Sequence, residues 1–428
     1  MSQPLKIALA GLGTVGGGVA KLLLSRKEEL SARAGRALEL VAVGARDRTK
    51  PRAVDLSSLT WFGDAVALAS CDADVVIELI GGEEGPARRL VEAALRAGRH
   101  VVTANKALLA HHGLELAQIA ERQNVSLRFE AAVAGGIPIV KALRESLIAY
   151  GINAVRGILN GTCNYILTQM EASGKSFAEV LREAQSLGYA EADPSLDIGG
   201  GDTAHKLALL SALAFGVAPR LGQIHTEGIA HITPDDIRFA REFGFRIKLL
   251  GMARQTANGL DQRVQPAMVR AGTPLADVEG PFNAILADAG EAGPFFFEGR
   301  GAGEAPTASA VIADLVDIAR GTHGAPFGRP SADLKSDSGE APDRVSAYYL
   351  RFEVLDLPGV LAEIAGRLAE AEVSIESMIQ RGRSPGEPVA IVMITHECAQ
   401  SRVTDALKVI ATSDKVLGSP CMIPMEAA

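Results

Sequence analysis

The sequence predicts an α/β protein in three parts: an opening domain on a parallel sheet, a middle α+β domain, and a ferredoxin-like βαββαβ unit. Three observations carry this reading. The apolar run Leu5-Lys-Ile-Ala-Leu-Ala10 leads straight into Gly11-Leu-Gly13-Thr14-Val15-Gly16. Strand-like and helix-like segments then alternate as far as residue 130, the mark of a parallel sheet with crossover helices. From residue 346 the pattern becomes strand 347–355, helix 359–371, strand 373–381, strand 388–395, helix 400–411 and strand 415–424, the order of a split βαβ unit.

In the opening domain, residues 5–10 read as a buried strand, and a helical stretch runs from the glycines to Leu30. Leu38–Gly44 is the second strand, Asp74–Ile80 another, Pro86–Ala97 a helix and His100–Thr103 the next strand. After Val125–Glu130 the texture changes. Gly135-Gly136-Ile137-Pro138 makes a turn, and Pro138 suits the first turn of a helix. Between residues 140 and 305 strands and helices mix without clean alternation. Ala305–Arg320 is helical again and can pack back on the first domain. The stretch 322–344, rich in Gly, Pro, Ser and Asp, reads as a linker. The expected boundaries are 1–135 for the nucleotide-binding domain, with 305–325 returning to it, then 136–304, a linker at 326–345, and 346–428.

At 428 residues the chain exceeds one ordinary core, so two or three domains are expected. Hydrophobic content of 47% with 22% charged residues is that of a soluble globular protein. The net charge of −8 argues against a nucleic-acid partner, since no basic face is implied. Cys71, Cys163, Cys398 and Cys421 are scattered without CxxC spacing, which points to reduced thiols and not to a disulfide framework. The chain enters a strand directly, and no leader or membrane-spanning run is read from it, so a cytoplasmic location is expected.

Gly11-x-Gly13-x-x-Gly16 is a weak signal alone and a strong one between a strand and a helix. The first glycine permits the turn, the second lets backbone approach a pyrophosphate, and the third lets helix and strand pack. The helix N-terminus then favours the anion. Coenzyme choice is read at the end of the second strand, where an acid suits a ribose 2′-hydroxyl and an arginine a 2′-phosphate. Arg46 is the candidate there, supported by Arg48 and Lys50. Asp47 between them keeps NAD open, and the reading favours NADP.

The block Gly188-Tyr189-Ala-Glu191-Ala-Asp193-Pro194-Ser-Leu-Asp197-Ile-Gly-Gly-Gly-Asp202-Thr-Ala-His-Lys206 is the most informative of the chain. Asp202 and Lys206 share one helical face. Taken alone they would read as a surface ion pair contributing about 0.3–0.5 kcal/mol. The acidic, glycine-rich loop ahead of them argues for a cleft, in which a desolvated lysine exchanges protons more readily. His205 has no partner at metal-ligand spacing and reads as a packed or capping residue. His111 and His112 read as solvated helix residues, and Cys163 as a packed thiol.

The same block resembles the signature of the homoserine dehydrogenases, Ala-x3-Gly-Tyr through Asp-Pro-x2-Asp-Ile-x-Gly-x-Asp-x3-Lys. Further pieces match in order: the Gly11–Gly16 turn, Thr103-Ala-Asn105-Lys106, Glu130–Pro138, Asn160–Tyr165 and Gly301-Ala-Gly303-Glu304-Ala-Pro306-Thr307. Gly199 stands where relatives often carry a polar residue. The resemblance implies NAD(P)-dependent, reversible reduction of L-aspartate 4-semialdehyde to L-homoserine, in threonine, methionine and isoleucine biosynthesis. It implies that residues 136–304 form a substrate-binding, catalytic and dimerisation domain. Lys206 would be the general acid, Lys106 the second lysine, and Asp202 their polar support. Glu191 would hold the substrate's α-amino group, with Asp197 and Thr162 completing the substrate site. Gly11, Gly13, Thr14, Val15, Gly16, Thr103, Lys106 and Gly303 would meet the coenzyme, with Arg46 and Lys50. A sodium ion is implied near Glu130, with main-chain carbonyls of Val133, Gly135 and Ile137 as its other ligands; oxygen-only ligation suits a hard cation.

Asp356-Leu-Pro358-Gly359-Val360-Leu361 lies between the first strand and first helix of the C-terminal unit. Pro358 and Gly359 open that helix and expose N–H groups to an amino-acid carboxylate. The unit resembles an ACT domain, which implies L-threonine as a feedback inhibitor and a homodimer or homotetramer. Two other readings stay open: another amino-acid-semialdehyde dehydrogenase of the same fold, and a non-catalytic amino-acid or nucleotide sensor.

Overall fold

The computed structural model describes residues 3–257, 259–335, 343–381 and 388–426. The opening domain holds β1 (Leu5–Ala10), α1 (Thr14–Ser25), α2 (Lys27–Ala34), β2 (Leu38–Gly44), β3 (Thr60–Phe62), β4 (Val75–Glu78), α3 (Pro86–Arg96), β5 (His100–Thr103), α4 (Lys106–Arg122) and β6 (Leu127–Arg128). Its six strands form a parallel sheet in the order β3-β2-β1-β4-β5-β6. Alternate residues of β1 face opposite cores: Leu5, Ile7 and Leu9 join α1, while Ala8 and Ala10 join α3 and α4. This two-sided burial is why the strand reads as a continuous apolar run and not as an alternation.

The helix expected through Leu30 is two helices. The backbone turns at Arg26 (φ −118°, ψ 26°), and the second segment redirects Leu30 and Ala34 into the core beside β2.

The middle domain follows with α5 (Ile139–Lys141), which runs into a wide turn over Ala142–Ser146, and with β7 (Ala154–Ile158), α6 (Gly161–Ser173), α7 (Phe177–Ser186), α8 (Ser195–Ile198) and α9 (Gly201–Phe215). After these come β8 (His225–Thr226), α10 (Pro234–Glu242), β9 (Phe245–Thr256), β10 (Gly259–Arg270), β11 (Phe282–Asp288) and β12 (Pro294–Arg300). Helix α11 (Glu304–Ala319) buries Ala308, Val311, Ile312, Leu315 and Ile318 in the core that β1, β2 and α1 share.

The segment read as a linker begins as docked chain. Phe327 is buried against Phe129, Ser331 N and Oγ donate to Glu121, and Lys335 pairs with Val217. Buried Phe327 and Leu334 outweigh the glycine- and proline-rich composition around them. Residues 336–342 lie outside the described residues.

The last unit comprises β13 (Val345–Ser346), β14 (Tyr348–Leu355), α12 (Val360–Glu370), β15 (Ile375–Gln380), β16 (Pro388–Thr395), β17 (Cys398–Ala399), α13 (Gln400–Ile410) and β18 (Val416–Glu426). Its sheet is not separate. The order β12-β11-β7-β9-β10-β18-β14-β16-β15 is continuous, because Met268 and Val269 of β10 pair with Met425 and Glu426 of β18. No described helix is long and apolar enough to cross a membrane.

A buried ion pair reinforces this junction. Asp236 accepts from Arg351 Nε (2.6 Å) and Nη2 (3.2 Å) and from the Tyr349 hydroxyl (2.9 Å). The same carboxylate caps its own helix through Thr233 N and Oγ1. Removing one partner of such a pair leaves an uncompensated buried charge. Arg351→Leu should therefore destabilise the chain by about 3 kcal/mol, measured by urea unfolding; an unchanged midpoint would show that the junction does not depend on this pair.

Candidate active site

Gly11 sits where β1 turns into α1, with φ +88°, and an added Cβ would run into the Leu79 carbonyl. At Gly16 a Cβ would meet the Gly11 carbonyl, whereas Gly13 faces open space. The turn lies where strand order reverses, between β1 and β4, the crevice in which doubly wound sheets bind ligands. Above it opens a cleft of about 560 Å³, lined by Val15, Lys106, Gly135, Asn160, Thr162, Tyr189, Asp197, Asp202, Lys206, Asn283, Arg300 and Gly303, among others.

Asp202 is the centre of this cleft. It lies in the first turn of α9, where a carboxylate meets the positive end of the helix dipole. The preceding Gly200 adopts φ +87° with side chains of Val264 and Thr226 closing around it, so the glycine run lets α9 start against the sheet. Asp202 Oδ2 lies 2.7 Å from Lys206 Nζ, and Oδ1 lies 3.0 Å from Lys106 Nζ. Asn160 Nδ2 donates to Asp202 Oδ2 and to Asp197 Oδ1, both at 2.8 Å. Burial opposes the Asp202 charge, but Lys206, Lys106 and these hydrogen bonds prevail and hold the carboxyl well below the ordinary range.

Lys206 Nζ also donates to the Leu159 carbonyl at 2.6 Å. Two of its three donors are thus committed to protein. Burial pushes its ammonium pKa down, against the pull of Asp202. Asp197 is pushed up, chiefly by burial. Cys163 is buried, and its thiol pKa is pushed well up, consistent with packing and not with a thiolate.

Of the other residues singled out in the sequence, Thr162 lines the cleft and donates to the Tyr189 carbonyl at 2.7 Å. Gly303 lines it at the start of α11. Glu191 is exposed and lies outside the lining. The Thr103 hydroxyl is buried and donates to Glu78 Oε2 at 2.6 Å, so it supports the loop after β4 and does not face the cleft. Arg46 is exposed just beyond β2. Lys50 lines a smaller hollow of about 260 Å³ with Arg48, Arg52 and Trp61, and the Arg52 guanidinium lies 4.7 Å from the Trp61 ring centre. Asp47 is spent locally, accepting from Thr49 N and Oγ1.

Asn160, Asn283 and Arg300 received no role from the sequence. Asn160 offered one signal: an asparagine just before a helix is a cap, and its Oδ1 accepts from Cys163 N at 2.8 Å. Its second task, joining two carboxylates distant in sequence, had no local signature.

Glu130 lies behind the Gly135–Gly136 turn, buried, accepting from Val140 N (3.0 Å) and Lys141 N (2.8 Å). Its own N–H donates to Asp314 Oδ2. Burial first, and Asp314 second, raise the Glu130 pKa from 4.5 to about 7, and burial raises Asp314 from 3.8 to about 6. Lys141, the nearest lysine in sequence, pairs with Asp317 instead. Two buried carboxylates short of positive charge fit a bound cation.

Fold and cleft together define an NAD(P)-dependent oxidoreductase. Residues 11–130 match the family described as homoserine dehydrogenase, NAD binding domain, residues 138–316 match homoserine dehydrogenase, and residues 348–412 match the ACT domain. A homoserine dehydrogenase of Neisseria gonorrhoeae is 44% identical over 432 residues, 99% of both chains. The crystal structure of a homoserine dehydrogenase from Thiobacillus denitrificans superposes with a TM-score of 0.92 at 44% identity, covering 99% of this chain and 98% of that one. A hyperthermophilic archaeal homoserine dehydrogenase in complex with NADPH gives a TM-score of 0.64 at 25% identity, over 74% of this chain and 97% of its own. The chain belongs to the homoserine dehydrogenase family, in the form that carries an ACT domain.

The raised carboxyls give a signed expectation. A carboxyl raised by folding stabilises the protein below its ordinary range and loses that contribution as pH rises through the folded value. In buffer free of alkali-metal ions the melting temperature should fall between pH 5 and pH 8, and Glu130→Gln should flatten the fall by removing the Glu130 share of it, which is bounded at about 3 kcal/mol. A wild-type melting temperature that rises across this interval would contradict the assignment.

Proposed function

We propose that this chain catalyses the NADP-preferring, reversible reduction of L-aspartate 4-semialdehyde to L-homoserine, with Lys206 as proton donor to the aldehyde oxygen. The observation that carries the reading is the Asp202 carboxylate held between Lys106 and Lys206 at the mouth of the glycine turn. The backbone at Gly11, Gly13, Thr14, Val15 and Gly16, with Lys106 and Gly303, would hold the coenzyme, which supplies the hydride when bound. Negative charge that develops on the substrate oxygen is relieved by a donor already in place. Lys206 holds that proton in a site where Asp202 fixes the ammonium and burial weakens its hold. Lys106 stands on the other side of the same carboxylate, toward coenzyme and substrate. Asp197 and Thr162 would receive the polar end of the substrate; Glu191 would reach the α-amino group once the loop 188–194 folds inward.

Arg46, with Lys50, is assigned to the 2′-phosphate, a reading favoured by the engagement of Asp47 with Thr49. Sodium near Glu130, ligated also by Val133, Gly135 and Ile137, would offset one charge of the Glu130–Asp314 pair and steady the turn that faces the cleft. L-Threonine is assigned to the ACT domain at the start of α12. A homodimer or homotetramer is supported by exposed Phe295 and Phe296 on the edge strand β12. Scattered free cysteines favour the cytoplasm.

Lys206→Met should lower kcat by about 10²–10⁴-fold while coenzyme binding, followed by fluorescence, survives. In the wild type, the alkaline loss of aldehyde reduction should fall below pH 10.5, the ordinary lysine value, because burial depresses Lys206. Near-normal turnover of the variant, or a limb at or above that value, would remove Lys206 from the proton transfer.

Coenzyme and effector are read in one spectrophotometric assay with L-homoserine. Arg46→Ala should raise KM for NADP+ by about tenfold and leave NAD+ unchanged, and added L-threonine should slow the wild type. Equal effects on both coenzymes would sink the phosphate assignment, and indifference to threonine the effector.

A further inference from the structure

Beside the catalytic cleft, but outside its lining, three residues from three separate elements converge. Glu83 lies in the loop after β4, His111 on α4 and His205 on α9. One potential ligand atom from each lies within 4.8 Å of the other two. His111 Nε2 is 2.9 Å from Glu83 Oε2, and the His111 and His205 rings meet edge to face with centroids 5.7 Å apart. Glu84 and His112, the neighbours in sequence, are already paired with each other at 2.7 Å.

His205 is the unusual member. It is only 8% exposed, and its Nδ1 is buried without a hydrogen-bond partner. A buried polar atom left without a partner is destabilising, and none of the catalytic groups uses it. Burial, with His111 alongside, also disfavours protonation of the His205 ring, which leaves it in the form that ligates metals.

We propose that Glu83, His111 and His205 form a binding site for a zinc-class divalent ion that clamps the nucleotide-binding domain to the catalytic helix. Two imidazoles and one carboxylate are a ligand set that borderline metals such as Zn²⁺ accept, with a fourth position left to water. Bonds of about 2.0–2.2 Å require ligand atoms roughly 3.3–3.5 Å apart in a tetrahedron, so the three side chains close slightly on the ion. Helix α4 carries both Lys106 and His111, and α9 carries both His205 and Lys206. Coordination therefore ties together the two helices whose lysines share Asp202, and it slows turnover by holding the domains at one separation.

The test uses the full-length enzyme, stripped with chelator and titrated with Zn²⁺ by calorimetry, and with Co²⁺ followed through its visible spectrum. One ion per chain is expected, with a Kd at least tenfold weaker in His111→Gln and in Glu83→Gln, both substitutions of exposed side chains that leave the zinc-free kcat unchanged. Melting curves that match the wild type verify that each variant is folded. Zinc should slow the wild type, reversibly on chelation, and spare both variants. No binding, or binding undiminished in both variants as expected for an ion held by Cys163 or surface histidines, would overturn the site. Binding that fails to slow the wild type would overturn the clamp.

Discussion

One carboxylate organises the catalytic region. Asp202 contacts a lysine from the first turn of α4, in the nucleotide-binding domain, and a lysine one turn further along its own helix. Two ammonium groups this close would repel in a partly dry cleft unless an anion stood between them. Asp202 supplies that anion, and its burial is tolerated because Lys106, Lys206 and Asn160 all address it. The surrounding architecture serves this contact. The Gly199–Gly201 run lets α9 begin where its first turn reaches the cleft. Asn160 locks that turn to the start of α6, and the Leu159 carbonyl aims Lys206. Helix α4 brings Lys106 across from the other domain, so the clamp is also a domain contact.

The C-terminal unit is joined to this region by more than a tether. Strand β18 extends the catalytic sheet at β10, and Asp236 is bound by Arg351 and Tyr349 from β14. Asp236 belongs to α10, which packs on β9, and Gly251 of β9 lies directly under Thr203 of α9. A change in the ACT sheet therefore has a packed route of named contacts to the helix that bears Lys206. Rigid cores transmit such shifts because they have little free volume to absorb them.

What the sequence disclosed follows from how local each signal is. The glycine turn and the buried run of β1 were legible because strand, turn and helix are contiguous, and the ACT strands because their alternation is confined to short windows. The break at Arg26 was not, since helix propensity continues through it and only packing against β2 requires a change of direction. The docked start of the expected linker was hidden by composition, although Phe327 and Leu334 were large apolar residues within it. In the cleft, Asp202 and Lys206 were legible as a pair, whereas the link to Lys106 and the double role of Asn160 depend on tertiary approach. The Glu83–His111–His205 cluster was invisible for the same reason: no two of its members share a ligand spacing in sequence.

The charge balance of the cleft bears on what it admits. Lys106, Lys206 and Arg300 share its lining with Asp197 and Asp202, so the groups present sum to about one positive charge when all are ionised. The proposed substrate is a zwitterion and leaves that balance as it is, with its carboxylate drawn to the cations of the lining and its ammonium to the carboxylates. The lysine–carboxylate–lysine row is already paired within itself, so a ligand that brings one charge of each sign disturbs it least.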